Sequence, residues 1–222
     1  MNCLTVHNII KHFGKRTLLN ALHFELQQGE ILGIFGRNGC GKSTLLKILF
    51  GVLKADNFSM SFNGNAVLQK HIIHECIISY LPQESFLPRH VKIRDIIPIY
   101  FSGEGQDKIF NADGIYNITN IPAGKLSLGE LRYFELLLIA HLPHPFLLLD
   151  EPFSMVEPLF KEKIKQLLLT LTDKKGIIVT DHYYKDVLEV SDQNLLLKEG
   201  KLLTVNNIGD LANDGYLPGG YA

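Results

Sequence analysis

The sequence predicts an α/β fold with a mainly parallel sheet, an amino-terminal antiparallel β region and an inserted helical subdomain, within one domain of 222 residues. Three observations carry this expectation. Beyond residue 145, apolar strand-like runs alternate with an amphipathic segment, the order that builds parallel sheets. A glycine-rich loop, FGRNGCGKST (residues 35–44), stands between an apolar run and a helical pattern. Residues 84–144 read as mainly helical between two β-rich parts. The expected division is therefore a core of roughly 1–84 and 145–222 around a helical insert at 85–144.

Taken in order, CLTVH (3–7), ALHFEL (21–26) and EILGIF (30–35) are expected strands, EILGIF a buried one. KSTLLKILFGVL (42–53) spaces Leu45, Leu46, Leu49 and Leu53 as one face of a helix. FSMSF (58–62) and CIISYL (76–81) are further strands. VKIRDIIPIYF (91–101) and SLGELRYFELLLIAHL (127–142) are helices, with a polar, glycine-containing connection at 102–114. PFLLLD (145–150) and GIIVTD (176–181) are buried strands separated by the amphipathic 157–173. QNLLLKEGKLLTV (193–205) predicts a hairpin turned at Glu199-Gly200, and a short helix is expected near 208–213.

The loop satisfies G-x-x-x-x-G-K-[ST] through Gly36, Gly41, Lys42 and Ser43. By chance that pattern arises roughly once in a hundred chains of this length, but strand, loop and helix here follow in the order its chemistry needs. Glycines let backbone N–H groups turn inward on phosphate oxygens, and the helix start adds its positive end. Gly36, Asn38, Gly39, Cys40, Gly41, Lys42, Ser43 and Thr44 are the candidate phosphate-binding residues, with Lys42 at the terminal phosphates and Ser43 on Mg²⁺. Cys40, at an electropositive helix start, is expected to have a lowered thiol pKa; a small space-filling residue explains it equally well. FLLLDE then places Asp150 and Glu151 at the carboxyl end of a buried strand, where α/β sheets bind ligands. Asp150 suits a Mg²⁺ shell and Glu151 the polarisation of an attacking water.

Composition narrows the alternatives. Hydrophobic residues at 46% and charged residues at 20% describe a globular chain. A net charge of −1 supplies no broad basic field, and no nucleic-acid partner is expected. Three unevenly spaced cysteines form no disulfide framework or zinc motif and suit a reducing compartment. No secretory leader or run of membrane-spanning length is visible, so any membrane role requires a partner.

Further stretches, in a fixed order, resemble the ATP-binding cassette (ABC) ATPases over about residues 1–205. YLPQES is similar to the family's Q-loop, with Gln83 in place; LSLGE (126–130) resembles the LSGGQ signature; PFLLLDEPF resembles Walker B; FSMVEP stands at the D-loop; and VTDHYYKDV puts His182 at the switch histidine. KHFGKRTLLNALHFEL resembles the opening segment whose aromatic, here Phe13, stacks on adenine. The resemblance implies two cassettes, alike or different, meeting head to tail around ATP and Mg²⁺. Ser127, Gly129 and Glu130 of one subunit would then face the γ-phosphate held by the other. It also implies Glu151, His182, Lys42 and Gln83 as catalytic, and Ser43, Gln83 and Asp150 around the metal. A separate integral membrane subunit would hold the cassette at the cytoplasmic face of the cell membrane.

Ser127 and Glu130 equally satisfy a helix capping box, and both readings can hold together. Leu128 replaces the signature's first glycine, Glu130 its glutamine, and Glu157 the D-loop aspartate. A slow but real ATPase is expected, as the motor of a transporter. A soluble assembly ATPase of the iron–sulfur type and a poorly hydrolysing regulatory subunit are the alternatives.

Overall fold

The computed structural model describes residues 1–217. Strands β1 (Cys3–Phe13) and β2 (Arg16–Gln27) form a long hairpin, followed by β3 (Ile31–Phe35) and helix α1 (Lys42–Phe50). Next come β4 (Asn57–Phe62), β5 (Asn65–Val67) and β6 (Ile78–Leu81). Helices α2 (Ile93–Tyr100), α3 (Glu104–Phe110), α4 (Ile115–Ile118) and α5 (Leu128–Ala140) occupy the middle of the chain. β7 (Phe146–Asp150), α6 (Pro158–Leu171), β8 (Gly176–Thr180), α7 (Tyr184–Leu188), β9 (Gln193–Lys198), β10 (Lys201–Thr204) and α8 (Ile208–Asn213) complete it.

Two sheets result. One is antiparallel, ordered β2-β1-β4-β5; the other, ordered β10-β9-β3-β8-β7-β6, is parallel except for β10. The fold class therefore agrees with the sequence reading. β3, β7 and β8 are buried along their whole length, which is why they read as unbroken apolar runs. One core lies between the two sheets and α1, with Leu45, Leu49, Phe146 and Ile178; the other joins the parallel sheet to α2, α5 and α6. The predicted hairpin turns at Glu199 and Gly200, whose φ values of 50° and 77° match the left-handed pair of a tight two-residue turn.

Differences have local causes. β1 and β2 run well past the expected 3–7 and 21–26, because register shifts between Val6 and His12 break the strict alternation that marks a strand. The polar connection at 102–114 contains α3, which buries only Ile109 and so lacks an apolar stripe. α5 shows the reverse. It is buried from Arg132 to Ala140 on all sides, wedged between the parallel sheet and its helical neighbours.

Candidate active site

β3 delivers the chain to the glycine loop and α1 leaves from it, so the loop spans the carboxyl edge of the parallel sheet. Gly41, at φ 117°, makes the final turn into α1; a Cβ there would lie 2.9 Å from Leu19 Cδ2 and 3.1 Å from Leu18 Cγ. Only glycine fits both the backbone angle and the space. Lys42 is buried and folds back across the loop, donating from Nζ to the Gly36 carbonyl at 2.6 Å.

Asp150 ends β7 almost wholly buried and collects three hydroxyl donors: Ser43 Oγ at 3.0 Å and Thr180 Oγ1 at 3.1 Å on Oδ1, and Tyr80 OH at 3.0 Å on Oδ2. Burial, reinforced by this carboxylate, pushes the Tyr80 hydroxyl above the ordinary tyrosine pKa, so it stays a donor. Glu151 takes a left-handed φ of 53°, strained for a residue with a side chain. Its N–H donates to the Thr180 carbonyl at 2.7 Å, and the buried Arg132 Nη2 donates to the carbonyls of Asp150 (2.5 Å) and Glu151 (3.3 Å). The turn thus aims the carboxylate sideways. Gln83 Nε2 donates to Glu151 Oε2 at 2.9 Å, and Ser154 Oγ and His182 Nδ1 lie 3.2 and 3.6 Å from the same oxygen.

Asp181 anchors the next segment. Fully buried, it accepts from the Phe153 and Tyr183 N–H groups at 2.8 and 3.0 Å and from Ser154 Oγ at 3.1 Å. Burial raises its pKa, and those donors together with His182 oppose the rise. The His182 ring packs against Tyr183 with centroids 4.5 Å apart. Lys161 Nζ lies over the Tyr183 ring, 3.7 Å from its centre, tying the histidine's segment to α6.

These groups surround one cleft of about 880 Å³, walled by Asn38, Gly39, Gly41, Lys42, Ser43 and Thr44 from the loop side. Gln83, Arg132, Glu151, Ser154 and His182 face them. Ser43 links the wall to Asp150 beneath it.

Other expected site residues stand elsewhere. Cys40 turns away from this cleft: its Sγ fills the space beside Gly36, and the residue lines a smaller cavity with Leu197 and Tyr216. Burial there raises its thiol pKa, outweighing Lys42 and the loop N–H groups, so the expected lowering is wrong. Cys40 should therefore alkylate with maleimide at least about tenfold more slowly than the exposed Cys76 at pH 7, read by mass spectrometry after timed quenching. Phe13 does not line the cleft. Its ring is about half exposed beside Lys11, on the hairpin whose Arg16 reaches the Gly39 carbonyl at 3.4 Å.

Ser127 and Glu130 form the capping box, with Glu130 N–H on Ser127 Oγ at 3.2 Å and Ser127 N–H on Glu130 Oε2 at 2.8 Å. Leu128 begins α5 in ordinary helical geometry with its side chain exposed at the cleft rim, so no left-handed backbone is required of it. Gly129 is buried against α6; a Cβ would lie 2.3 Å from Glu157 Oε2 and 2.6 Å from Phe160 Cδ2. Glu157 can swing aside, whereas the packed Phe160 ring must shift. Gly129→Ala should therefore cost about 1–3 kcal/mol, measured as a lowered midpoint in urea.

Sequence reasoning missed Tyr80, Thr180, Ser154, Asp181 and the buried Arg132–Glu135 pair. Only the last left a signal: two opposite charges three residues apart in the mainly apolar body of a helix.

A family model described as "ABC transporter" matches residues 19–154, more than half of the chain. The chain belongs to the ABC transporter family. Curated relatives agree along their length. An uncharacterized ABC transporter ATP-binding protein of Rhizobium meliloti is 28% identical over 95% of this chain and 83% of its own. The lipopolysaccharide export system ATP-binding protein LptB of Haemophilus influenzae is 27% identical over 96% and 94%. Among solved structures, a nucleotide-free ATP-binding cassette from an ABC transporter superposes with a TM-score of 0.84 over 98% of this chain and 96% of that one, at 21% identity. This ABC cassette is thus the ATP-binding subunit of a transporter, an ATPase whose hydrolysis is coupled to transport. No helix among the described residues is long and apolar enough to cross a membrane. Membership of the family by itself implies a membrane partner.

Proposed function

We propose that two cassettes close head to tail around ATP and Mg²⁺ and drive a separate integral membrane subunit, beside which this chain sits at the inner face of the membrane. The observation that supports this reading most strongly is the convergence of Lys42, Ser43, Gln83, Glu151 and His182 on one cleft, with Asp150 beneath it. Ser43 and Asp150 offer adjoining hard oxygen ligands suited to Mg²⁺, which when bound would neutralise phosphate charge.

Lys42, already poised over the loop, binds the terminal phosphates. Glu151 orients the attacking water and accepts its proton, and His182 reaches the γ-phosphate from the facing wall. Gln83 donates to Glu151 at 2.9 Å and changes partner when phosphate arrives. The water and the leaving phosphate are positioned by fixed groups, which supplies most of the rate in such transfers. Ser127, Gly129 and Glu130 meet the partner's nucleotide through the amino end of α5, where a cap and an anion site use the same N–H groups. Phe13, with its exposed ring on the neighbouring hairpin, offers adenine a stacking face. Residues 85–144 act as the lever that passes closure to the membrane subunit.

The test is a tagged Glu151→Gln chain, incubated with ATP in solubilised membranes of the source organism, recovered and analysed by mass spectrometry. A multi-span membrane protein should be recovered together with the cassette. Recovery of soluble partners only would overturn the proposed pairing with a separate membrane subunit.

A further inference from the structure

We propose that this cassette carries a second anion site, for a phosphate-class oxyanion, at the end of β7 and β8 opposite the nucleotide cleft. The two strands run five residues each, so the sites stand at least about 13 Å apart along the sheet. A cavity of about 590 Å³ opens there between α3, the end of α5 with the following turn at 141–145, and the connection from α6 to β8. Its size is that of a small-molecule site.

The lysines set its charge, and the two histidines add groups able to take up a proton. Lys108, His141, His144, Lys174 and Lys175 contribute to the wall with the Asn2 amide, and no aspartate or glutamate does. Among the described residues, none of the three lysines has a carboxylate within 4.0 Å. Lys175 is only 5% exposed. Its Nζ donates to the carbonyl of Leu142 at 2.7 Å and to that of His144, which leaves one N–H free.

Burial without a counter-ion draws the Lys175 pKa down to about 8. Both histidines are also held below their ordinary range, first by burial; Lys175, Lys108 and Lys174 add to this at His141, and Lys175 at His144. His141 Nδ1 is engaged with the Leu137 carbonyl at 2.9 Å. Cationic groups lining one cavity repel one another, and an oxyanion bound among them offsets that repulsion with attractions of its own. Ammonium groups arriving from several directions suit the tetrahedral spread of phosphate oxygens. The anion would also tie α3, through Lys108, to the turn bearing Lys174 and Lys175, and so brace one side of the helical region against the sheet.

The test uses the full chain with saturating ADP, so that the phosphate loop is filled, and follows the assigned imidazole signals of His141 and His144 by NMR across pH. Inorganic phosphate at about 10 mM is compared with chloride at matched ionic strength. The apparent pKa of His141 should rise by about half a unit or more with phosphate. The double variant Lys108→Ala/Lys174→Ala, altered at exposed positions only, should lose most of that rise. Equal titration curves in phosphate and chloride would overturn the proposal, as would a full rise that persists in the double variant.

Discussion

Glu151→Gln should lower kcat for ATP by about a hundredfold to a thousandfold while leaving KM within a few-fold. The amide keeps the shape of the side chain, and its carbonyl can still accept from Gln83, which meets the carboxylate at 2.9 Å. On the proposed mechanism, what disappears is the group that takes a proton from water. Binding, which the proposal rests on Lys42 and the loop N–H groups, should be untouched, so ATP should also hold two variant subunits together. Light scattering with and without ATP would read that directly. A variant that retains kcat within twofold would remove Glu151 from the chemistry.

The second large effect concerns stability. Arg132 donates to the carbonyls of Pro82 at 2.6 Å, Asp150 and Glu151, and its Nη1 lies 3.7 Å from Glu135 Oε2. Glu135 in turn accepts from Ser85 Oγ at 2.5 Å and from the Phe86 N–H at 3.2 Å. The pair bolts α5 to both the Gln83 segment and the Glu151 turn. Arg132→Ala takes a donor from three carbonyls and the counter-charge from a buried carboxylate, which should cost about 3–5 kcal/mol. For a chain of this size that is a loss of roughly 10 °C in Tm.

Burial already raises the Glu135 pKa, and Arg132 is among the groups opposing that rise. Without the arginine the folded-state pKa climbs further above the unfolded value. The penalty is therefore full above that raised pKa and is relieved as pH falls through it. The stability deficit of Arg132→Ala should shrink on acidification from pH 8 toward pH 5, measured by urea unfolding at each pH. A deficit independent of pH would place the loss in packing alone. Because Glu151 depends on the same turn, turnover should fall together with stability.

Much of the site was legible because its chemistry lies in contiguous residues. The loop at 36–44 and the pair Asp150–Glu151 each declare themselves through a strand boundary beside them. The strands that position them were readable for the same reason, being apolar and buried on both faces. Groups that matter only by meeting across the fold were not. Tyr80 and Thr180 converge on Asp150 from neighbouring strands, and nothing in their local sequence announces it. Cys40 was misjudged because a position in a loop does not fix which way a side chain turns. Its thiol leaves the phosphates for the space beside Gly36. α3 escaped notice because a short helix burying one residue carries almost no period.

The central claim is that this cleft hydrolyses ATP with Lys42 and Glu151 at its centre. The most direct measurement is steady-state ATP turnover by the chain assembled with its membrane partner, with Lys42→Ala assayed beside it. The geometry predicts Mg²⁺-dependent turnover in the parent and background rates in the variant. Equal rates in the two, with the partner present, would contradict it.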